Sequence, residues 1–401
     1  MKNKIILCLF SGAVFSSDVT AVQPEAYTTD SGIAITPIIN TGYKYNNNIF
    51  SQSSNTTGSG IYTLAPAASF LLDDGINNYK FDLGGESGTY VDSSDDDYLT
   101  GYIGFKTHLE AGSRNRFDVA LKLDSQVEPR GTGITEGLGD IVDAPIQYTG
   151  QFGQLIYGYG SLASSARIDF LGSYYSKRYT NFTEYTEYRS YDESTLGSTL
   201  FYTTNANTDA FFRIKGSTIR YDKNQLVSRD SDVYFVLLGV KWEATALTSG
   251  SFEIGQEQKK FVDSNREDFK GVSWEGHVDW KPLTYTALSL VTSRAAKDPD
   301  GRGDYIIESI YGASWKHEWN EKVTTNMNYS FINDDYSGYL DTDYSGNGRD
   351  DKTNNIYVDV IYELQRWVDV TLFVEYTDND STDEIMIYDT SIVGLDFTFS
   401  L

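Results

Sequence analysis

Val393-Gly394-Leu395-Asp396-Phe397-Thr398-Phe399-Ser400-Leu401 ends the sequence, and its reading decides the fold. Val393, Leu395, Phe397, Phe399 and Leu401 are apolar; Gly394, Asp396, Thr398 and Ser400 between them are small or polar. That is the period of two of a β-strand. In water, a strand with one apolar face and an open edge is an aggregation hazard. In a closed barrel that crosses a membrane, the edge is paired and the apolar face meets lipid. The expected fold is therefore all-β, a single antiparallel transmembrane barrel whose other strands close against this one.

Working back from that strand, the same alternation marks about eighteen strands: 33–46, 61–73, 77–91, 98–111, 115–128, 145–159, 165–180, 185–203, 208–222, 232–246, 248–262, 270–281, 283–296, 304–319, 321–335, 353–367, 368–379 and 387–401. In 115–128, Phe117, Val119, Leu121 and Leu123 oppose Asp118, Ala120, Lys122 and Asp124. In 270–281, Val272, Trp274, Gly276, Val278 and Trp280 oppose Ser273, Glu275, His277 and Asp279. The connections alternate as well. Asn47–Gly60, Gly131–Ala144 and Tyr336–Lys352 are long, whereas Asp74–Ile76 and Gly112–Arg114 are turns. Long loops outside and short turns inside are the outer-membrane pattern, and an even strand count leaves both termini in the periplasm. Trp242, Trp280, Trp315, Trp319 and Trp367 fall toward the short-turn ends, as interfacial aromatic residues do.

Met1-Lys2-Asn3-Lys4, the apolar run Ile5–Phe15 and Val19-Thr20-Ala21 read as a secretory signal peptide over 1–21. A polar periplasmic leader, 22–31, precedes the barrel, 32–401. Removing 1–21 takes Lys2 and Lys4 from 32 basic residues and Asp18 from 57 acidic ones, for a net charge of −26. It also removes Cys8, the only cysteine. A cysteine-free acidic chain with 31 Tyr, 21 Phe and 35 Gly suits an outer-membrane barrel. It offers no basic stripe to nucleic acid. Mean hydropathy is −0.40, too polar for a helical membrane protein but ordinary where one face of each strand is wet.

The residues of the inward phase are mixed in sign. Acids are Asp82, Glu86, Glu110, Asp118, Asp169, Glu275, Asp279, Glu308, Asp359, Glu363 and Glu375; bases are Lys80, Lys106, Lys122, Arg167, Arg213, Lys215, Lys241 and Lys316. Tyr90, Tyr98, Tyr102, Tyr175 and Tyr357 share that phase. Such a set serves a hydrated interior laced with ion pairs. It serves equally a polar path on which sugar hydroxyls find many weak contacts. No GxSxG, no hydrolase triad and no zinc spacing occurs, so neither an enzyme nor a cofactor is expected. Asp341, Asp343 and Asn347 lie in a stretch like the start of a calcium loop, but Lys352 stands where the bidentate Glu belongs. Gly131, Gly133, Gly137, Ile134, Leu138 and Ile141 mark an outward loop able to fold into the lumen as a gate.

The terminal pattern resembles the closing strand of bacterial outer-membrane proteins, which the outer-membrane assembly machinery recognises; Leu401 stands where Phe or Trp is usual. Ile35-Thr36-Pro37, Tyr43-Lys44-Tyr45-Asn46-Asn47-Asn48-Ile49-Phe50 and Leu64-Ala65-Pro66 resemble the opening of the putative beta-barrel porin 2 family, and Tyr188-Arg189-Ser190-Tyr191-Asp192 resembles a second segment. The resemblance implies an outer-membrane barrel that carries a secreted polysaccharide beside a periplasmic polysaccharide-export protein. The residues themselves leave three readings open: an export conduit, a general or sugar-selective uptake porin, and a surface barrel whose acidic loops bind a partner or cation.

Overall fold

The computed structural model describes residues 26–400 except 205–206, 225–226, 246, 302 and 339–347. A short strand, β1 (Tyr27–Thr28), pairs with the start of the barrel. The wall is β2 (Ala34–Asn46), β3 (Ser59–Asp73), β4 (Asn78–Tyr90), β5 (Tyr98–Ala111), β6 (Asn115–Glu128), β7 (Ile146–Tyr159), β8 (Ala166–Tyr179), β9 (Tyr191–Thr203), β10 (Thr208–Tyr221), β11 (Ser231–Thr245), β12 (Thr248–Phe261), β13 (Phe269–Leu283), β14 (Thr286–Lys297), β15 (Tyr305–Asn320), β16 (Val323–Ser337), β17 (Asp350–Gln365), β18 (Val368–Ser381) and β19 (Tyr388–Ser400).

Each strand pairs antiparallel with its neighbours in sequence, and β19 closes on β2 through Val393–Tyr45, Leu395–Tyr43, Phe397–Thr41 and Phe399–Ile39. The closing strand therefore does what its alternation requires. Its apolar residues share a face with Tyr43 and Tyr45, and its polar residues turn in. Around the wall the outward phase stays apolar and uncovered: Leu99 is 74% exposed, Leu196 73% and Leu238 64%. Such a continuous apolar belt is tolerable only against lipid.

The long connections all lie at one end and the short turns at the other. Several strand limits depart from the sequence reading. The strand expected over 185–203 starts only at Tyr191, because Thr183–Thr186 makes a helical turn. Phe182 takes a left-handed conformation, and the Thr186 hydroxyl donates to the carbonyls of Asn181 and Phe182, bonds that compete with a ladder. Pro282 is not the turn after β13. It lies within that strand, where the register with β14 shifts between Trp280 and Leu283. β17 begins at Asp350 and ends at Gln365, so Trp367 stands in the turn, its ring 6.2 Å from that of Phe399. At the same end, His317 lies between Trp315 and Trp319 at 5.5 and 4.3 Å.

Candidate functional site: a lumen crossed by loops

Register carries the inward phase around the barrel. Asp82, Glu86, Tyr90, Tyr98, Tyr102 and Lys106 belong to it. So do Arg167, Asp169, Tyr175, Arg213 and Lys215, and, on the later strands, Glu275, Asp279, Glu308, Asp359, Glu363 and Glu375. They do not converge on one point; they line the wall. Many are tied by short bonds between strands: Arg116–Asp169 at 3.0 Å, Arg167–Asp209 at 2.5 Å, Arg213–Glu253 at 2.8 Å, and Tyr98 donating to Glu86 at 2.5 Å. Lys297 bonds both Glu308 and Asp334.

The wall is segregated. On β16–β19 the inward phase carries Asp334, Asp351, Asp359, Glu363, Asp369, Glu375 and Asp396, with no Lys or Arg among its described residues. Amides support some of these acids: Asn326 donates to Asp359 at 2.7 Å and Asn355 to Glu375 at 2.8 Å. Across the lumen, β7–β10 carry an aromatic arc near the long-loop end. Ring centroids are 5.9 Å apart for Tyr148–Tyr179, 5.9 Å for Tyr175–Tyr191 and 5.5 Å for Tyr191–Tyr221. The Lys177 ammonium sits 4.3 and 4.7 Å from the Tyr148 and Tyr179 rings. Of this arc, sequence reasoning singled out only Tyr175.

The loop 131–144 extends over the mouth. It leaves β6, runs past the ends of β2–β5, and its Glu136 accepts from Arg349 at the start of β17 at 2.8 Å. That contact is separated by ten strands one way round (β7–β16) and eight the other (β17–β19 and β2–β6), close to a diameter. Its holding forces differ from those expected. Leu138 and Ile141 stay 49% and 43% exposed, so apolar burial does not seat them. Ion pairs and close backbone approach do. Arg130 bonds Asp96 through Nε at 2.7 Å and Nη2 at 2.6 Å. Gln52 meets Asp140 at 3.3 Å. Gly131 and Gly137 have φ of 81° and 70°; a Cβ on the first would stand 1.8 Å from the Phe50 carbonyl, and on the second 2.8 Å from Met386 Sδ.

Arg349 also bonds Asp351. Burial works against its charge, but the two carboxylates outweigh burial and hold its pKa above the ordinary value. Glu136 is pushed the other way. Burial raises its pKa, Arg349 opposes the rise, and Asp351 and Asp300 add to it.

A second loop, 298–304, folds into the other half of the mouth. Asp298 pairs at 2.9 Å with Lys259, a lysine 1% exposed on the inward phase of β12. Arg229 donates to the Pro299 and Gly301 carbonyls at 3.1 and 3.2 Å, and Arg189 donates to Gly301 at 3.0 Å. Burial lowers the Arg189 pKa. Sequence reasoning missed this loop. The available signal was Lys259 itself, an inward cation whose register partners, Val233 and Phe269, are apolar.

No group of His, Cys, Asp and Glu among the described residues is placed to hold a metal ion. The calcium candidates Asp341, Asp343 and Asn347 lie outside the described residues, as does Leu401.

The family model of Putative beta-barrel porin 2 matches residues 32–401, the whole barrel. The chain belongs to that family. It is a porin-like barrel of the outer membrane. A search of curated proteins gives no significant match. Among solved structures, the outer membrane protein opdK of Pseudomonas aeruginosa is similar at 9% identity over 92% of this chain and 99% of its own, with a TM-score of 0.50. OprD of the same organism aligns at 13% identity over 95% and 96%, TM-score 0.46. Acinetobacter baumannii OccAB1 aligns at 11% over 95% and 99%, TM-score 0.47. At such identities the likeness of this family member to opdK concerns the fold alone.

Proposed function

We propose that this barrel is a gated, non-catalytic conduit that exports a secreted polysaccharide, with its long loops outside and its termini in the periplasm. The observation that carries the reading is the contact between Glu136 and Arg349. A loop held across the mouth by ion pairs is what a wide conduit requires, since an open polymer pore would leak small solutes. The tyrosine arc on β7–β10 supports a saccharide cargo. Aromatic faces stack on sugar rings while phenol hydroxyls reach sugar hydroxyls, in many weak contacts without a deep trap. The family resemblance adds a periplasmic polysaccharide-export protein as the partner that would open the channel from below.

Deleting 131–144 tests the gate. Single-channel conductance in planar bilayers and sensitivity to large antibiotics should both rise, with polymer secretion largely kept. A wild-type barrel that conducts as a large, steadily open pore, unchanged by the deletion, would end the gated reading. Uptake of small cationic solutes is the second reading, favoured by the acidic wall of β16–β19. A deletion strain that keeps its extracellular matrix but loses growth on one solute would select it.

A further inference from the structure

The barrel wall has a seam between β13 and β14. Their ladder stops at Trp274–Arg294, although both strands run on toward the long-loop end. Continued register would pair Val272 with Ala296. Instead the Ala296 N–H donates to the Glu257 carboxylate, at 3.1 and 3.2 Å, from the lumen side. The Val272 carbonyl accepts from the Arg294 guanidinium. Side chains of opposite charge thus replace main-chain bonds at this height.

Arg294 is in the outward phase. Its pair Trp274 is in register with Ile254, and Ile254 with Leu238, both exposed on the lipid face. Six residues nearer the turns, Leu288 is in register with Trp280 and Trp315. With a rise of about 3.3 Å per residue and a tilt of about 40°, Arg294 stands about 15 Å above that tryptophan row, in an apolar band about 25 Å tall. A lipid-facing arginine costs about 2–4 kcal/mol at the midplane and less near the interface, so it favours an anionic neighbour. Lys270, exposed and also outward, lies two residues beyond Val272.

Directly below is a concavity of about 440 Å³. Small residues, Gly276 and Ala313, lie between Phe252, Leu290, Tyr311 and Tyr329, and its lining is almost wholly apolar. Trp274 stands at its upper edge, its indole N–H donating to Thr292 at 3.0 Å, and the Arg294 guanidinium is 5.6 Å from the Trp274 ring.

We infer that this face is a specific site for one anionic phosphate-headed lipid of the surrounding membrane. An acyl chain fills the groove over Gly276 and Ala313, and the phosphate rests against Arg294 and Lys270. Charge complementarity selects the occupant: the groove is apolar where the chain lies and cationic where the head lies. The site holds whichever solute the lumen carries.

The test uses the full barrel in detergent with added phosphatidylglycerol or phosphatidylcholine, read by native mass spectrometry. Wild type should retain one phosphatidylglycerol in preference to phosphatidylcholine. Arg294→Gln should lower that retention about tenfold, the loss of one charged contact. Ala313→Phe, which fills the groove with a lipid-compatible side chain, should lower it similarly. Leu238→Phe, on the lipid face away from the groove, should not. Should Arg294→Gln fail to give a heat-modifiable barrel, Ala313→Phe alone decides. Equal retention in wild type and Ala313→Phe would overturn the inference. So would a dimer of the chain that Ala313→Phe dissociates without changing bound lipid.

Discussion

Glu136→Gln keeps the shape of the loop tip and removes one charge from the closed mouth. In the wild type Glu136 accepts from Arg349 at 2.8 Å; the arginine side chain is 3% exposed and the glutamate 33%. A hydrogen bond to a charged group contributes about 1.5–3 kcal/mol. Solvent reaching Glu136 reduces this toward about 1 kcal/mol. The closed-to-open ratio should then fall roughly fivefold. Arg349→Met goes further, because it strips Asp351 as well. Removing one partner of a buried pair costs about 3–5 kcal/mol, enough to leave the loop mostly unseated. Single-channel recording reads both as the fraction of time at the low-conductance level. One steady conductance shared by wild type and both variants would refute a latch at this pair.

Lys259→Met leaves Asp298 without its buried cation, so loop 298–304 should exchange its amide hydrogens faster and conductance should rise; unchanged exchange would mean that Arg189 and Arg229 suffice. Phe399→Asp puts a charge beside Trp367 on the lipid face of the closing strand and should sharply reduce heat-modifiable barrel in outer membranes; wild-type amounts would contradict this. Asp359→Asn with Glu375→Gln removes two charges from the acidic wall, so the reversal potential under a salt gradient should move from cation preference toward zero; no movement would place the selectivity in the loops.

Period-two alternation is enforced at every residue by the difference between lipid and lumen, which is why the strands, their phase and the closing strand could be read from local sequence. The same rule assigned Glu275 inward and Trp274 outward without knowledge of their neighbours. It fails where a residue obeys neither solvent. Thr183–Thr186 is legible as neither helix nor strand, because the Thr186 hydroxyl bonds the nearby backbone carbonyls of Asn181 and Phe182. The loop destinations lie beyond local pattern altogether: Glu136 meets Arg349 213 residues away, and nothing periodic connects them. Lys259 shows how much further the sequence could have gone. Once β11, β12 and β13 are in register, it sits inward between Val233 and Phe269, neither of which can carry a counter-charge. A buried ammonium without a partner is untenable. The nearest acid in the ladder, Glu257, lies two residues along the same inward face and accepts from the Ala296 N–H, so the direct partner of Lys259 comes from a loop at that end of the barrel. The register makes the need for a counter-charge readable, and Asp298 meets it much as Glu136 meets Arg349.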